Sequence, residues 1–273
     1  MTQGQANDQI RLNIKAHDKV AAKYEKLHGE IYNPLEQARL HEKLGIARSS
    51  LRTDAPRKTA LDFGCGAGNL TRHLLELGFG VTASDVSPRF LELVRKDFSD
   101  RGSLDTFHLN GSDLAGIPDD SFDLAATYSV LHHVPDYLGA VAEMARVVKP
   151  GGILYLDHEV NEGYWNRSEA YREFLGKVRP NPGWTRFFDP NTYYLKIRSR
   201  LNPKFRDEGD IHVFQDDHIE WGKIETLLGA RGFEIVLRED YLIYRREYAR
   251  DIYDAYKDRC TDMRLLIARK RTG

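Results

Sequence analysis

The sequence predicts an α/β fold, a doubly wound and mostly parallel seven-stranded sheet whose last strand runs antiparallel. Two observations carry this expectation. From Thr59 to Ala268, short apolar runs alternate with stretches of helical periodicity, the pattern of strands joined by crossover helices. The first two such runs also end in glycine-rich or acidic residues, Gly64-Cys65-Gly66-Ala67-Gly68 after Phe63 and Asp85 at the end of the second. In open α/β sheets ligands bind beyond the carboxyl ends of the strands.

Taken in order, residues 1–9 read as a polar tail, and Ile14, Val20, Ala21, Tyr24 and Leu27 then recur at helical spacing. A second helix fits 34–51, with Pro34 in the first turn, where its missing N–H costs nothing. Together these make residues 10–52 an N-terminal helical cap. A buried strand at 59–63 enters the glycine loop and a helix at 69–77 leaves it. A strand at 81–85 and a helix at 87–98 repeat the unit, with Ser87 as N-cap and Pro88 as first residue. A third strand at 106–109 leads to Asn110-Gly111-Ser112-Asp113. The fourth spans 122–130, followed by a helix at 137–148, the turn Lys149-Pro150-Gly151-Gly152 and a fifth strand at 152–157. Regularity returns with a helix at 218–230, a strand at 234–244, a charged helix at 246–258 and a last strand at 263–268. Between them, 161–217 is aromatic, basic and proline-containing, an insertion after strand five that reads as a lid.

The 273 residues are 41% hydrophobic and 30% charged, enough apolar material for a buried core and an ordinary composition for a folded chain. One domain over 1–273 is the simplest organisation. Forty Lys and Arg against 41 Asp and Glu leave a formal charge of −1, which disfavours nucleic acid or anionic lipid as a partner. Cys65 and Cys260 form no metal-type pair. Met1 to Asp8 is polar and no run reaches the length of a membrane span, so the expected location is cytoplasmic. No feature specifies an oligomeric state.

The alternating glycines Gly64, Gly66 and Gly68 let the backbone turn sharply and a ligand approach the main chain. A dinucleotide fingerprint would put its third glycine one place later, where Asn69 stands, which argues against a nicotinamide-dependent oxidoreductase. The run Leu61-Asp62-Phe63-Gly64-Cys65-Gly66-Ala67-Gly68-Asn69-Leu70 resembles the first motif of class I S-adenosylmethionine-dependent methyltransferases. Asp85 stands where that family has an acidic residue bridging the two ribose hydroxyls, and a carboxylate is chemically suited to accept both hydrogens. Gly111-Ser112-Asp113-Leu114 matches the segment that binds adenine, with Asp113 as the candidate for its amino group. Ala126 to Val134 resembles the segment lining the cofactor pocket, and Ala145 to Gly152 resembles the turn into strand five. The resemblance covers about 58–160. It implies S-adenosylmethionine as cofactor, held by Asp62, Gly64, Cys65, Gly66, Gly68, Asp85, Val86, Ser112, Asp113, Leu114 and Tyr128. Asp62 has two readings, a partner for the donor's amino group or a carboxylate capping loop amides. Cys65 reads as a small packing residue.

Methyl transfer from a sulfonium is an in-line displacement in which alignment supplies much of the acceleration. A hydroxyl or protonated amine acceptor also needs a base, and histidine suits that task. His132 and His133 follow strand four, where the family places residues next to the transferred methyl, although loop or helix capping is the simpler use of each. His158 follows strand five and is a third catalytic candidate that could line the acceptor pocket; strand alternation would send it to one face with Asp157 and Glu159 on the other. No metal-ligand spacing is apparent. Asp210, His212, Asp216, Asp217 and His218 read as solvated loop charges, with Asp216 or Asp217 capping the next helix.

The insertion holds Tyr164, Trp165, Tyr171, Phe174, Trp184, Phe187, Phe188, Tyr193 and Tyr194. Such residues line pockets, and about half of them are expected to form the insertion's own small core. The expected activity is methyl transfer to an oxygen or nitrogen of a small or medium-sized molecule, with sugar, lipid-linked and secondary-metabolite acceptors all open. An RNA-modifying methyltransferase and a non-catalytic cofactor-binding partner subunit are the alternatives.

Overall fold

The computed structural model describes residues 30–54, 56–111, 113–178 and 219–272. The cap helix expected from Ile14 to Leu27, Ser112, the cluster from Asp210 to His218 and the aromatics from Trp184 to Tyr194 lie outside the described residues.

Seven strands, β1 Thr59–Phe63, β2 Gly80–Asp85, β3 Leu104–His108, β4 Phe122–Tyr128, β5 Val148–Val160, β6 Phe233–Tyr241 and β7 Met263–Lys270, form one sheet in the order β3-β2-β1-β4-β5-β7-β6. β1 to β5 are parallel, and β7 runs antiparallel to β5 on one side and β6 on the other. The order reverses at β1, so the loops after β1 and β4 diverge and leave a crevice at the carboxyl edge. Strand β4 is buried along its whole length, as expected of a parallel strand covered on both faces.

Strand alternation divides the core into two layers. Ala60, Leu124, Ala126 and Tyr155 pack against α1 Pro34–Ser49, α2 Asn69–Glu76 and α3 Pro88–Phe98 through Leu40, Leu44, Leu74, Leu91 and Val94. Leu61, Ala125, Leu154 and Leu156 face α4 Tyr137–Val147 and, from further along the chain, α7 Trp221–Ala230, through Val141, Met144, Ile224 and Leu228.

Local chemistry explains the helix starts. Asn33 accepts the N–H groups of Leu35 and Glu36 ahead of Pro34, and Ser87 accepts that of Phe90 ahead of Pro88. Boundaries shift where tertiary contacts override pattern. Strand β5 begins at Val148, taking in the expected turn at Lys149 to Gly152, because Gly151 at φ 78° and a register shift opposite Phe122 let the strand start early. Strand β4 stops at Tyr128 because Ser129 turns to φ 59°.

The described start of the insertion, α5 Glu162–Trp165 and α6 Glu169–Val178, buries Tyr171 and Phe174 against Leu242, Cys260 and Tyr256 of α8 Arg250–Tyr256. These two aromatics serve a local core, as expected of part of the set. No helix among the described residues is long and apolar enough to cross a membrane.

Candidate active site

A cleft opens at the carboxyl edge of the sheet, between the loops after β1, β2, β3 and β4. Its floor is the glycine loop. The N–H groups of Gly64 and Cys65 both donate to the Ser84 carbonyl, at 2.9 and 2.8 Å, which ties the loop to β2. Gly64 at φ 76° leaves no room for a side chain, since a Cβ would lie 2.7 Å from both methyls of Val130. Gly68 does not line the cleft. It caps α2 at φ 87°, and a Cβ there would meet the Phe98 ring at 2.5 Å, so helix packing and backbone conformation require this glycine rather than a ligand.

Asp85 hangs over the loop from the end of β2. Its Oδ2 accepts the Gly66 N–H at 3.0 Å and its Oδ1 the Ser87 N–H at 2.8 Å. Burial raises its pKa to about 6, against the pull of those two amides. Asp62 is wholly buried behind the loop and accepts the Thr71 hydroxyl at 2.6 Å, with its pKa raised by burial to about 7. It lines the cleft and also braces α2, so both expected uses are compatible with its position. Cys65 is buried, its thiol pushed well up by burial and by the Asp85 and Asp62 carboxylates, which agrees with packing rather than reactivity. On the opposite wall Asp113 accepts from Asn110 Nδ2 at 2.8 Å and from the Ala115 N–H at 3.0 Å. Val86, Leu114 and Tyr128 complete the set of expected cofactor residues that line the cleft. Asn69 and Glu143 also line it, beyond what the sequence motifs indicate. Glu143 accepts the Leu114 N–H at 3.1 Å and is held ionised by Arg146, one helical turn on; the spacing of that pair is the available signal.

The ends of β4 and β5 differ from expectation. Alternation does not hold through Asp157-His158-Glu159, because β5 bulges there and His158 takes φ 64°. The extra residue sends Asp157 and Glu159 to opposite faces. Asp157 turns toward α1, accepting from the hydroxyls of Tyr155 at 2.6 Å and Tyr241 at 3.0 Å and pairing with Arg39 at 3.2 Å. Arg39 also pairs with Glu36 at 2.9 Å. Burial opposes the Arg39 charge, yet the Asp157 carboxylate beside it, with Tyr241, holds its pKa well above the usual value. This network ties the cap to β5, and nothing in the local sequence of α1 announces it.

Glu159 turns the other way, fully buried, and accepts the N–H groups of Val130 and Leu131 at 2.9 and 2.7 Å while its second oxygen lies 2.8 Å from His132 Nδ1. A carboxylate therefore organises the Leu131–His133 turn. Of the three histidines expected near the acceptor, His133 lines the cleft; His132 and His158 do not. His132 lies beside it with its ring centroid 4.0 Å from that of His133. His158 is buried and stacks on Tyr128 at 4.6 Å, so it reaches the cleft only through that ring.

Residues 61–156 match the family described as a methyltransferase domain. A ubiquinone biosynthesis O-methyltransferase of Thiobacillus denitrificans is 33% identical over 138 residues, 49% of this chain and 60% of that protein's length. One from Xanthomonas oryzae pv. oryzae is 34% identical over 39% of this chain and 45% of its own length. The chain thus spans about half the length of the curated relatives it matches. A chain from the complex of the Haloferax volcanii Trm112 methyltransferase activator with a methyltransferase superposes with a TM-score of 0.58 at 16% identity, covering 94% of this chain and 98% of its own. An S-adenosylmethionine-dependent methyltransferase of Methanosarcina mazei superposes at 0.53 with 22% identity, over 84% and 98%. Residues 61–156 thus match a methyltransferase domain, on a fold shared with a solved S-adenosylmethionine-dependent methyltransferase.

Proposed function

We propose that the chain transfers a methyl group to an oxygen of a small molecule, with nitrogen as the second choice of acceptor atom. The observation that carries this reading is the meeting, in one cleft, of the glycine loop, Asp85 and Asp113 with His133. The names of relatives such as the Thiobacillus denitrificans O-methyltransferase favour oxygen.

The residues fit the cofactor. Gly66, at φ 49° with no atom within 4 Å of the point a Cβ would occupy, keeps the loop open toward the cleft. The Asp85 carboxylate has one amide on each oxygen, and each oxygen has a further lone pair for a ribose hydroxyl. Asp113 and Leu114 form the adenine end, and Asp62 with the loop amides the amino-acid end. When bound, S-adenosylmethionine supplies a methyl carbon made electrophilic by its sulfonium.

The protein's own part is alignment and proton removal. Glu159 takes the Nδ1 hydrogen of His132 and fixes that ring, and the neighbouring His133 ring is thereby held at the cleft wall to accept the acceptor's hydroxyl proton. His133 is the base, and His132 and Glu159 position it. Recognition of the acceptor is assigned to residues 161–217 on their aromatic and basic composition. Calorimetry tests the donor half: Asp85→Ala is expected to abolish measurable S-adenosylmethionine binding, and undiminished affinity would refute the assignment.

A further inference from the structure

Away from the cleft, His41 of α1 and His73 and Glu76 of α2 bring three ligand atoms together, within 4.8 Å of one another. His41 Nδ1 lies 3.2 Å from His73 Nδ1, and Glu76 Oε2 lies 3.7 and 3.6 Å from the two nitrogens. A point equidistant from all three stands about 2.0 Å from each, the bond length of zinc to imidazole nitrogen and carboxylate oxygen. His73 and Glu76 are one helical turn apart, so a single face of α2 offers both.

The protonation pattern strengthens the geometry. His73 Nε2 lies 2.9 Å from Gln37 Oε1, a contact in which the nitrogen donates, and 3.3 Å from Arg72 Nη2, which competes for the same edge of the ring. The Gln37 amide cannot be turned over, because its Nε2 donates to the Ile31 carbonyl and to Asn69 Oδ1, both at 2.9 Å. With its hydrogen on Nε2 toward Gln37, the neutral ring turns its Nδ1 lone pair toward His41 and Glu76. A carboxylate oxygen and a bare nitrogen face each other at 3.6 Å. A proton on His41 Nδ1 can bridge to His73, but it leaves Glu76 beyond hydrogen-bond distance of both rings. One metal ion satisfies all three.

We propose that His41, His73 and Glu76 form a site for a divalent transition-metal ion of the zinc class, which clips the cap helix α1 to α2. Three protein ligands leave a position for water, and the half-exposed side chains of His41 and Glu76 give the ion a path from solvent. Gln37 plays the outer-shell part, orienting His73 through its second nitrogen. Because Gln37 also holds Asn69, which lines the cleft, the ion stands two hydrogen bonds from the cofactor loop.

The test is titration of the full chain with zinc chloride by calorimetry, alongside His41→Ala and Glu76→Gln. Both substitutions are at exposed positions, and equal melting temperatures in chelator will verify that each variant folds. One equivalent of zinc is expected to bind at micromolar affinity or tighter and to weaken by about tenfold or more in each variant. Cobalt(II) is expected to give a visible absorption band that both variants lose. No saturable zinc binding, or the same affinity in both variants, would overturn the proposal and leave a hydrogen-bonded cluster only.

Discussion

The two halves of the carboxyl edge are built in different ways. The half formed by β1, β2 and β3 draws largely on residues close in sequence, as where Asp85 takes the amide of Ser87 and Asp113 accepts from Asn110 and Ala115. The half at β4 and β5 depends on distant partners and on strained backbone. Ser129 and His158 sit at φ 59° and 64°, Glu159 holds a turn 29 residues earlier, and Arg39 crosses from α1 to Asp157. Non-glycine residues with positive φ persist only where the surroundings fix them, and they gather at functional sites. In the proposed reading the donor's surface is set mainly by local sequence, whereas the side assigned to the acceptor takes its shape from the whole fold.

The largest effect should come from cutting the long-range half. Arg39→Ala leaves the Asp157 and Glu36 carboxylates buried without their cation, and is expected to cost about 3–5 kcal/mol of stability; denaturant melts will measure it. A loss under about 1 kcal/mol, the worth of an exposed pair, would mean that the cap is not anchored through this contact. Next, His133→Ala is expected to lower kcat by roughly 10²- to 10⁴-fold on a hydroxyl acceptor while the affinity for S-adenosylmethionine stays the same. A parallel loss of cofactor affinity would assign His133 to the donor half instead.

A pH series should separate folding from donor binding by sign. Burial raises the pKa of Asp85 to about 6 and of Asp62 and Asp262 to about 7, all above their unfolded range. Their contribution to the ligand-free fold is complete below the unfolded pKa and disappears as pH rises through 6 and 7. The melting temperature of the ligand-free chain should therefore rise by a few degrees on going from about pH 8 to about pH 5.5. Affinity for S-adenosylmethionine should fall over the same change, because a protonated Asp85 loses acceptor capacity. The smallest effect belongs to Cys65→Ala, expected to change cofactor affinity less than about threefold, since the thiol only packs.

What is legible in the sequence follows the same division. The succession of strands and helices, the glycine loop, Asp85 and Asp113 are visible because hydrophobic periodicity, clustered glycines and a carboxylate after a strand leave local signatures. Even there Gly68 misleads, since a glycine demanded by the Phe98 ring looks the same in sequence as one demanded by a ligand. Alternation puts Asp157 and Glu159 on one face, and it fails because a bulge inserts one residue without a compositional mark. The anchoring by Arg39 is invisible because its partners lie 118 and 202 residues away.

The central claim is that the cleft beneath Asp85 and Asp113 holds the donor, with the acceptor side at His133. A crystal structure with S-adenosylhomocysteine bound tests it most directly. Ribose hydroxyls are expected on the Asp85 carboxylate, adenine beside Asp113 and the sulfur turned toward the wall that carries His133. A ligand seated elsewhere, or one whose sulfur faces away from His133, would contradict it.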